Sequence, residues 1–191
     1  RVLFRSALIL TVFVGYRYQI VVDWVTYELI FLDISRMPLL DAVTYGDSGY
    51  SVINWLVSRF GGQVWHVNLV CATIFFYALI RFCAALPRPG LVIATAVPTL
   101  IIVTAMGYTR QATALGFIML AYVYFHGKMN WRWIACLCVA ILFHRSAIFM
   151  LPIFLIAGSN RPALSLAIGG LLITGLLFTI VLQNVNDVLS L

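Results

Sequence analysis

A histidine, an arginine and a serine, His144, Arg145 and Ser146, lie together near the centre of an apolar run over residues 131–157. An arginine at the centre of a bilayer costs about 2.5–3.5 kcal/mol on insertion scales. These side chains are therefore expected to face a polar cavity or to lie where the chain reaches a membrane surface. The alternative is a helix-capping or turn-forming cluster that does no chemistry.

A second set of polar residues is expected on the same side of the membrane as His144, namely Arg17, Asp23, Asp47, Arg110 and Gln111. Guanidinium groups hydrogen-bond phosphate oxygens in pairs and stay charged when partly dehydrated. Several of them at one membrane boundary suit a lipid-linked phosphate or diphosphate. A nearby carboxylate or His144 can act as general base or orient sugar hydroxyls. The alternative is a purely structural role, in which the arginines and aspartates form ion pairs with one another and fix their segment against the rest of the protein.

Aromatic residues accompany these charges: Trp24, Tyr27, Tyr45, Tyr50, Trp55 and Trp65. Such rings can stack on sugars. An interfacial belt of aromatic side chains explains most of them equally well.

The composition predicts an integral membrane protein. Of the 191 residues, 63% are hydrophobic and 9% are charged, whereas a soluble domain is about 45–50% apolar and about 25% charged. The expected fold is an all-α polytopic membrane protein with about six to seven membrane-embedded helical segments. The net charge of +6 is spread between these segments, so nucleic acid is not an expected partner. The sequence contains neither a metal-ligand cluster nor a glycine-rich phosphate loop, and no metal or other cofactor is predicted.

The chain is expected to form a single transmembrane domain over residues 1–191. The predicted membrane-embedded segments are 2–14, 67–82, 91–106, 112–125, 131–157 and 163–182. Between the first two, residues 15–66 form an external segment. Within it, apolar residues recur at helical spacing from Val52 to Phe60 and Gly61-Gly62 ends the pattern, which predicts an amphipathic helix lying at the membrane surface or against the bundle. A second such element is predicted over 24–34.

The distribution of charges predicts the orientation. With a cytoplasmic N-terminus, the cytoplasmic side carries basic residues and no acid: Arg1, Arg5, Arg81, Arg88, Lys128, Arg132 and Arg161. The opposite side holds every acidic residue together with the remaining arginines. This segregation follows the positive-inside rule.

The orientation assumes that residues 131–157 enter the membrane and return as a helical hairpin. Each half then has about 13 residues, or about 20 Å of helix, against about 30 Å of hydrocarbon. The alternative is one long tilted helix with His144 and Arg145 near the midplane, an arrangement that the positive-inside rule favours less.

Four short stretches carry a resemblance to a known family. They are Arg17 to Tyr27 with Asp23 between them, Asp47-Ser48-Gly49-Tyr50, Arg110-Gln111-Ala112, and Phe143-His144-Arg145-Ser146-Ala147. In these stretches, and in their order, the chain resembles the EpsG family of exopolysaccharide proteins, within the wider class of Wzy-like polysaccharide polymerases. It departs from the family at Val21, where glycine is usual, and at Asp47, where glutamate is common. Family members are also longer, so the resemblance implies that the C-terminal part of the family is missing here.

The resemblance implies a multi-pass enzyme of the bacterial cytoplasmic (inner) membrane, with its active face outward. Such proteins are thought to join oligosaccharide repeat units carried on undecaprenyl diphosphate. The growing chain leaves its lipid diphosphate and is transferred to another unit, which is a glycosyl transfer that needs no nucleotide sugar and no metal. The implied partners are this lipid-linked oligosaccharide, membrane lipids and other proteins of polysaccharide synthesis or export.

The resemblance also implies roles for individual residues. The catalytic candidates are Asp23, Asp47 and His144, and which of them is the base stays open. The candidates for binding the diphosphate or the sugar are Arg17, Tyr27, Tyr50, Arg110, Gln111, Arg145 and Ser146. Two other functions stay open: a non-enzymatic polysaccharide exporter or scaffold subunit of a synthase complex, and a membrane acyltransferase with His144 as base.

Overall fold

A computed structural model describes residues 2–19, 24–125, 130–158, 169–172 and 174–175 of the chain. These residues form helices and their connections, with no strand among them, which confirms the all-α class. The helices are α1 (Val2–Gly15), α2 (Trp24–Arg36), α3 (Leu39–Thr44), α4 (Ser48–Arg59), α5 (Val64–Ala84), α6 (Pro89–Ala96) with a π-helical continuation (Val97–Ala105), α7 (Thr109–Tyr124), α8 (Trp131–Phe143) and α9 (Met150–Ala157). A 3₁₀ turn, Arg145–Phe149, lies between α8 and α9.

One helix among the described residues, α5, is long and apolar enough to cross a membrane. Four apolar helical stretches are shorter: Phe4–Gly15, Pro89–Ala105, Trp131–Phe143 and Arg145–Ala157. The number of membrane-embedded segments therefore stays a prediction. The predicted segment over 163–182 lies largely outside the described residues.

Local sequence explains where several helices begin. At the start of α5, the backbone N–H of Gln63 donates to His66 Nδ1 at 2.9 Å, and the backbone N–H of His66 donates to the Gln63 carbonyl at 2.9 Å. At the start of α8, the Asn130 side chain accepts hydrogen bonds from two backbone N–H groups, the nearer at 2.9 Å. Each arrangement satisfies donors that the first helical turn leaves unpaired.

The external segment folds into α2, α3 and α4. The predicted amphipathic helix is present as α4, which starts four residues earlier than the apolar pattern suggested and is followed by Gly61 at a φ of +70°. Ser51 and Asn54 on its polar side are buried, at 1% and 0% exposed. On its apolar side Leu56 is 44% exposed, whereas Ile53 and Val57 pack partly buried against a hydrophobic cluster.

Two hydrophobic clusters hold the helices together. The first joins α1, α5, α6 and α7, and the second joins α2, α4, α5, α7 and α8. Helices α5 and α7 take part in both, and they approach closely at Gly116, where an added Cβ would lie 3.2 Å from the Cα of Phe75. This shared pair positions the residues at the ends of the other helices.

The apolar run over 131–157 is not one continuous helix. Helix α8 ends at Phe143, and His144 adopts an extended conformation with φ −159° and ψ 119°. The chain then divides into two compact units, one comprising Arg1–His126 and Asn130–Ala147 and the other Gly127–Met129 and Ile148–Leu191. The interruption at His144 excludes one continuous helix over 131–157, and whether this run crosses once or returns as a hairpin stays a prediction.

Candidate functional site

The centre of the candidate site is an ion pair between Arg110 and Asp47. Arg110 Nη1 donates to Asp47 Oδ2 at 2.9 Å, and no other ion pair joins described residues. The pair is partly withdrawn from water, since the Arg110 side chain is 35% exposed and that of Asp47 is 10% exposed. It joins the N-terminus of α7 to the residue that precedes α4. Withdrawal from water strengthens the attraction between such charges.

Asp47 keeps part of its capacity to accept hydrogen bonds. Its backbone carbonyl accepts from the N–H of Ser51 at 3.0 Å, as expected of the residue before a helix, but its side chain caps no backbone N–H. With Oδ2 bonded to Arg110, Oδ1 has no hydrogen-bond donor among the described residues. This oxygen can accept a further hydrogen bond.

Two tyrosines lie beneath Arg110. Its guanidinium carbon lies 5.8 Å from the centre of the Tyr27 ring, a cation–π distance. Tyr27 and Tyr50 meet edge to face, with 5.7 Å between ring centres. Both are buried, at 5% and 1% exposed, and the Tyr50 hydroxyl has no hydrogen-bond partner among the described residues. In this arrangement Tyr27 lies against the arginine and Tyr50 packs against Tyr27, and the stacking of either ring on a sugar stays a prediction.

Gly49 brings the end of α8 to the start of α4. A Cβ at Gly49 would lie 3.0 Å from ring carbons of Phe143 and 3.2 Å from the carbonyl carbon of Leu142. Only a glycine permits the two backbones to approach so closely without displacement. Asp47 lies two residues before Gly49, and His144 directly follows Phe143. The two sequence stretches that hold Asp47 and His144 are therefore neighbours in space.

His144 lies at the point where α8 stops. Its N–H donates to the carbonyl of Ala140 at 2.9 Å, and its own carbonyl accepts from the N–H of Ala147 at 3.0 Å. The side chain is partly exposed, and Arg145 and Ser146 after it are exposed. Both are on the 3₁₀ turn.

Arg17 is placed differently from Arg110. It is 4% exposed. Its Nη1 donates to the carbonyls of Val14 at 3.0 Å and Ala105 at 3.1 Å, and its Nη2 donates to the Thr109 hydroxyl. These bonds join the end of α1, the end of the π-helical stretch and the start of α7. Burial lowers the pKa of the guanidinium because the charged form loses water.

A small cavity adjoins Arg17, and its Nε has no hydrogen-bond partner among the described residues. The volume open to the centre of a water molecule is about 10 Å³, roughly the space that one water needs. Asn68 and Thr109 line it, but Arg110 and His144 do not. Of the predicted site residues, Arg17 alone lines this opening.

Two residues that the sequence analysis did not single out take part in this arrangement, Asn68 and Thr109. Thr109 Oγ1 donates to Asn68 Oδ1 at 3.3 Å, and Asn68 is 1% exposed inside the long apolar helix α5. The signal was present, because an amide within a membrane-length apolar helix is costly unless it has a partner.

The remaining predicted site residues make no described contact with the pair of Arg110 and Asp47. Gln111 is exposed on α7, one residue beyond Arg110. Asp23 lies outside the described residues. Within the described residues, no group of three or more His, Cys, Asp or Glu side chains is placed to hold a metal ion.

Comparison with known proteins gives one match. The model of the EpsG family matches residues 1–191, the whole of the sequence. Neither the curated proteins nor the solved structures gave a match.

Proposed function

The chain belongs to the EpsG family, the family of Wzy-like exopolysaccharide polymerases, and from this we propose that it joins lipid-linked oligosaccharide repeat units. The proposed donor is a glycan chain on a polyprenyl diphosphate, of which undecaprenyl diphosphate is the bacterial example. The proposed acceptor is a hydroxyl of a second lipid-linked unit. The half-buried pair of Arg110 and Asp47 carries the proposal, because it places a cation beside a carboxylate that has an unengaged oxygen.

The proposed reaction is a single glycosyl transfer. The acceptor oxygen forms a bond to the anomeric carbon of the donor while the bond from that carbon to the diphosphate oxygen breaks. The acceptor proton passes to a general base, and both electrons of the broken bond leave with the diphosphate. The chain therefore has two tasks, to accept a proton and to stabilise the negative charge that develops on the leaving group.

Arg110 is the proposed partner of the diphosphate. One guanidinium nitrogen, Nη1, is bonded to Asp47, and the side chain is partly exposed, which leaves part of the guanidinium accessible to a ligand. A guanidinium that is already fixed by a carboxylate and an aromatic ring needs little reorganisation when charge develops. Arg145, exposed on the adjoining 3₁₀ turn, is a further proposed cation for the same group.

Asp47 is the base that the described residues favour, and His144 is its competitor. Oδ1 of Asp47 is unengaged, and the carboxylate is held in place through Oδ2. His144 is partly exposed where α8 stops, and the contact of Gly49 with Leu142 and Phe143 keeps it near the start of α4. Asp23 stays a candidate outside the described residues.

For Arg17 we propose a positioning role. Its bonds to Val14 and Ala105 engage one terminal nitrogen, and its bond to Thr109 engages the other. Thr109 immediately precedes Arg110, so Arg17 anchors the turn of backbone that aims Arg110. A buried arginine engaged in this way has little surface left for a diphosphate.

The proposed location is the bacterial cytoplasmic membrane, which the chain crosses several times with Asp47, Arg110 and His144 facing outward. A membrane protein is indicated by the family and by α5. The distribution of charges supports the outward orientation. All acidic residues lie on one side of the predicted spans, and the other side, which carries only basic charges, is expected to face the cytoplasm. The exposed Leu56 of α4, and Phe60 directly after it, support a place for this end of the external segment against lipid.

A reconstituted assay tests the proposal. The full chain in proteoliposomes is given a lipid-linked repeat unit, and the product length and the released polyprenyl diphosphate are measured together. We expect products of several units with one lipid diphosphate released for each link formed. Movement of added polymer across the membrane without lengthening would instead support the exporter or scaffold function and refute the polymerase.

A further inference from the structure

A groove between α1 and α5 is not used by the proposed reaction. It encloses about 350 Å³. Its walls include Phe4, Ala7 and Leu8 of α1 and Phe76, Ile80 and Arg81 of α5. Thr11, Thr73 and Tyr77 complete the lining, so the groove is a mostly apolar channel with a cation at one end.

The cation at this end is free to bind an anion. Arg81 is exposed, and its Nη1 is hydrogen-bonded to the Tyr77 hydroxyl at 3.1 Å. The guanidinium carbon lies 5.9 Å from the centre of the Tyr77 ring. No carboxylate lies within ion-pair distance of Arg81 among the described residues. Arg5, exposed on α1 next to Phe4, adds a second positive charge at the same end.

The groove lies away from the Arg110 site. Helices α1 and α5 are antiparallel, because Gly15 packs on Leu69 at one end while Phe4 and Arg81 line the groove at the other. Thirteen residues separate Arg81 from Asn68, which lines the cavity of Arg17. At the rise of an α-helix this separation is about 20 Å, most of the thickness of a hydrocarbon layer.

We propose that this groove is a binding site for an anionic phospholipid, with one acyl chain along α1 and α5 and the phosphate at Arg81. Charge complementarity selects this occupant. An apolar groove alone accepts any hydrocarbon chain, whereas a guanidinium without a carboxylate partner favours a phosphate with net negative charge. The separation from Arg110 favours a membrane phospholipid over the carrier of the oligosaccharide. The site stands independently of the polymerase function.

Native mass spectrometry of the full chain in neutral detergent tests the site. Phosphatidylglycerol, phosphatidylcholine and undecaprenyl phosphate are offered in separate arms, and the retained lipids are counted. We expect one phosphatidylglycerol to be retained, and Arg81→Gln to weaken its retention about fivefold, the effect of one basic residue at an anionic lipid surface. Arg88→Gln, which removes an exposed arginine outside the groove, is the matched control and should change nothing.

A second variant tests the acyl-chain part of the site. Ala7→Trp fills the groove without changing charge and should remove the retained phosphatidylglycerol. Equal retention of phosphatidylcholine, preference for undecaprenyl phosphate, or equal losses in Arg81→Gln and Arg88→Gln would each overturn the proposal. Retention of no lipid by the wild-type chain would overturn it as well.

Discussion

Arg110 Nη1 donates a hydrogen bond to Asp47 Oδ2 at 2.9 Å, and this bond joins the start of α7 to the start of α4. The residues are 63 positions apart in sequence. The cation also lies over the ring of Tyr27 in α2. One arginine thus holds together three elements, two of which belong to the segment expected to lie outside the membrane.

Asp47→Asn tests the general base. The amide keeps the size of the side chain and can still accept from Arg110, but it cannot take up a proton at neutral pH. A general base contributes about 10²–10⁴-fold to a rate, and a fall of that size in the rate of chain lengthening is expected. Asp41→Asn, at an exposed acid on α3, is the control. An unchanged rate of chain lengthening in the Asp47 variant would mean that another residue is the general base.

His144→Gln separates the competing base from Asp47. If Asp47 takes the proton, removing the imidazole weakens lengthening by less than Asp47→Asn does and leaves the shape of the pH–rate profile unchanged. The measurement is the pH–rate profile of chain lengthening for both variants. Loss of an ionisation from the profile of the His144 variant, together with the larger drop in rate, would make His144 the base.

Arg17→Met tests the positioning role. The guanidinium makes bonds to Val14, Ala105 and Thr109, and hydrogen bonds to charged groups contribute about 1.5–3 kcal/mol each. We expect the free energy of unfolding to fall by at least about 2 kcal/mol, because methionine leaves the buried oxygens that Arg17 bonds without a hydrogen-bond donor. Unfolding in detergent measures it, with Arg5→Met, at an exposed arginine of α1, as control.

The role of Arg17 also has a kinetic signature. A residue that only aims Arg110 should lower kcat for chain lengthening in the Arg17→Lys variant while the KM for the lipid-linked unit changes little. A large rise in KM with kcat preserved would mean that Arg17 contacts the substrate itself.

Gly49→Ala tests the contact between α4 and α8. The added Cβ would press on the Phe143 ring at 3.0 Å and on the backbone of Leu142 at 3.2 Å. Overpacking of this kind costs about 1–3 kcal/mol, so lower thermal stability and slower lengthening are expected together. Gly90→Ala, where nothing lies within 4 Å of an added Cβ, is the control. Adding Phe143→Leu to Gly49→Ala should restore part of the stability, and no recovery would contradict the assigned contact.

The sequence predicted the helices whose pattern is local. The apolar repeat of α4 and the end of that helix at Gly61 depend on residues within one or two turns, and the structure has them within a few residues. The extent of α5 followed from a continuous apolar run. The same reasoning predicted that α4 is amphipathic, but it could not tell which of its two faces packs against the rest of the protein. That choice depends on Tyr27 and Phe143, on other helices.

The placement of the arginines was not predictable from their type. Arg17 and Arg110 look alike in sequence, each at the end of an apolar segment. Arg17 is buried because carbonyls and a hydroxyl from residues 14, 105 and 109 converge on it, and only the tertiary packing of these segments brings them together. Arg110 stays partly exposed because its partner, Asp47, precedes α4 at the edge of the bundle. Gly49 was read as part of a motif, although its close approach to α8 is a tertiary feature.

The most direct measurement is the length of the glycan made by Arg110→Gln in a reconstituted assay with the lipid-linked repeat unit. The matched control is Arg59→Gln, because Arg59 also lies over an aromatic ring, that of Trp55 at 5.1 Å, but lies at the other end of α4 from Asp47. If Arg110 stabilises the diphosphate, its variant leaves single repeat units on their lipid while the Arg59 variant makes polymer of normal length. Polymer of normal length from a folded Arg110→Gln protein would contradict the proposed site.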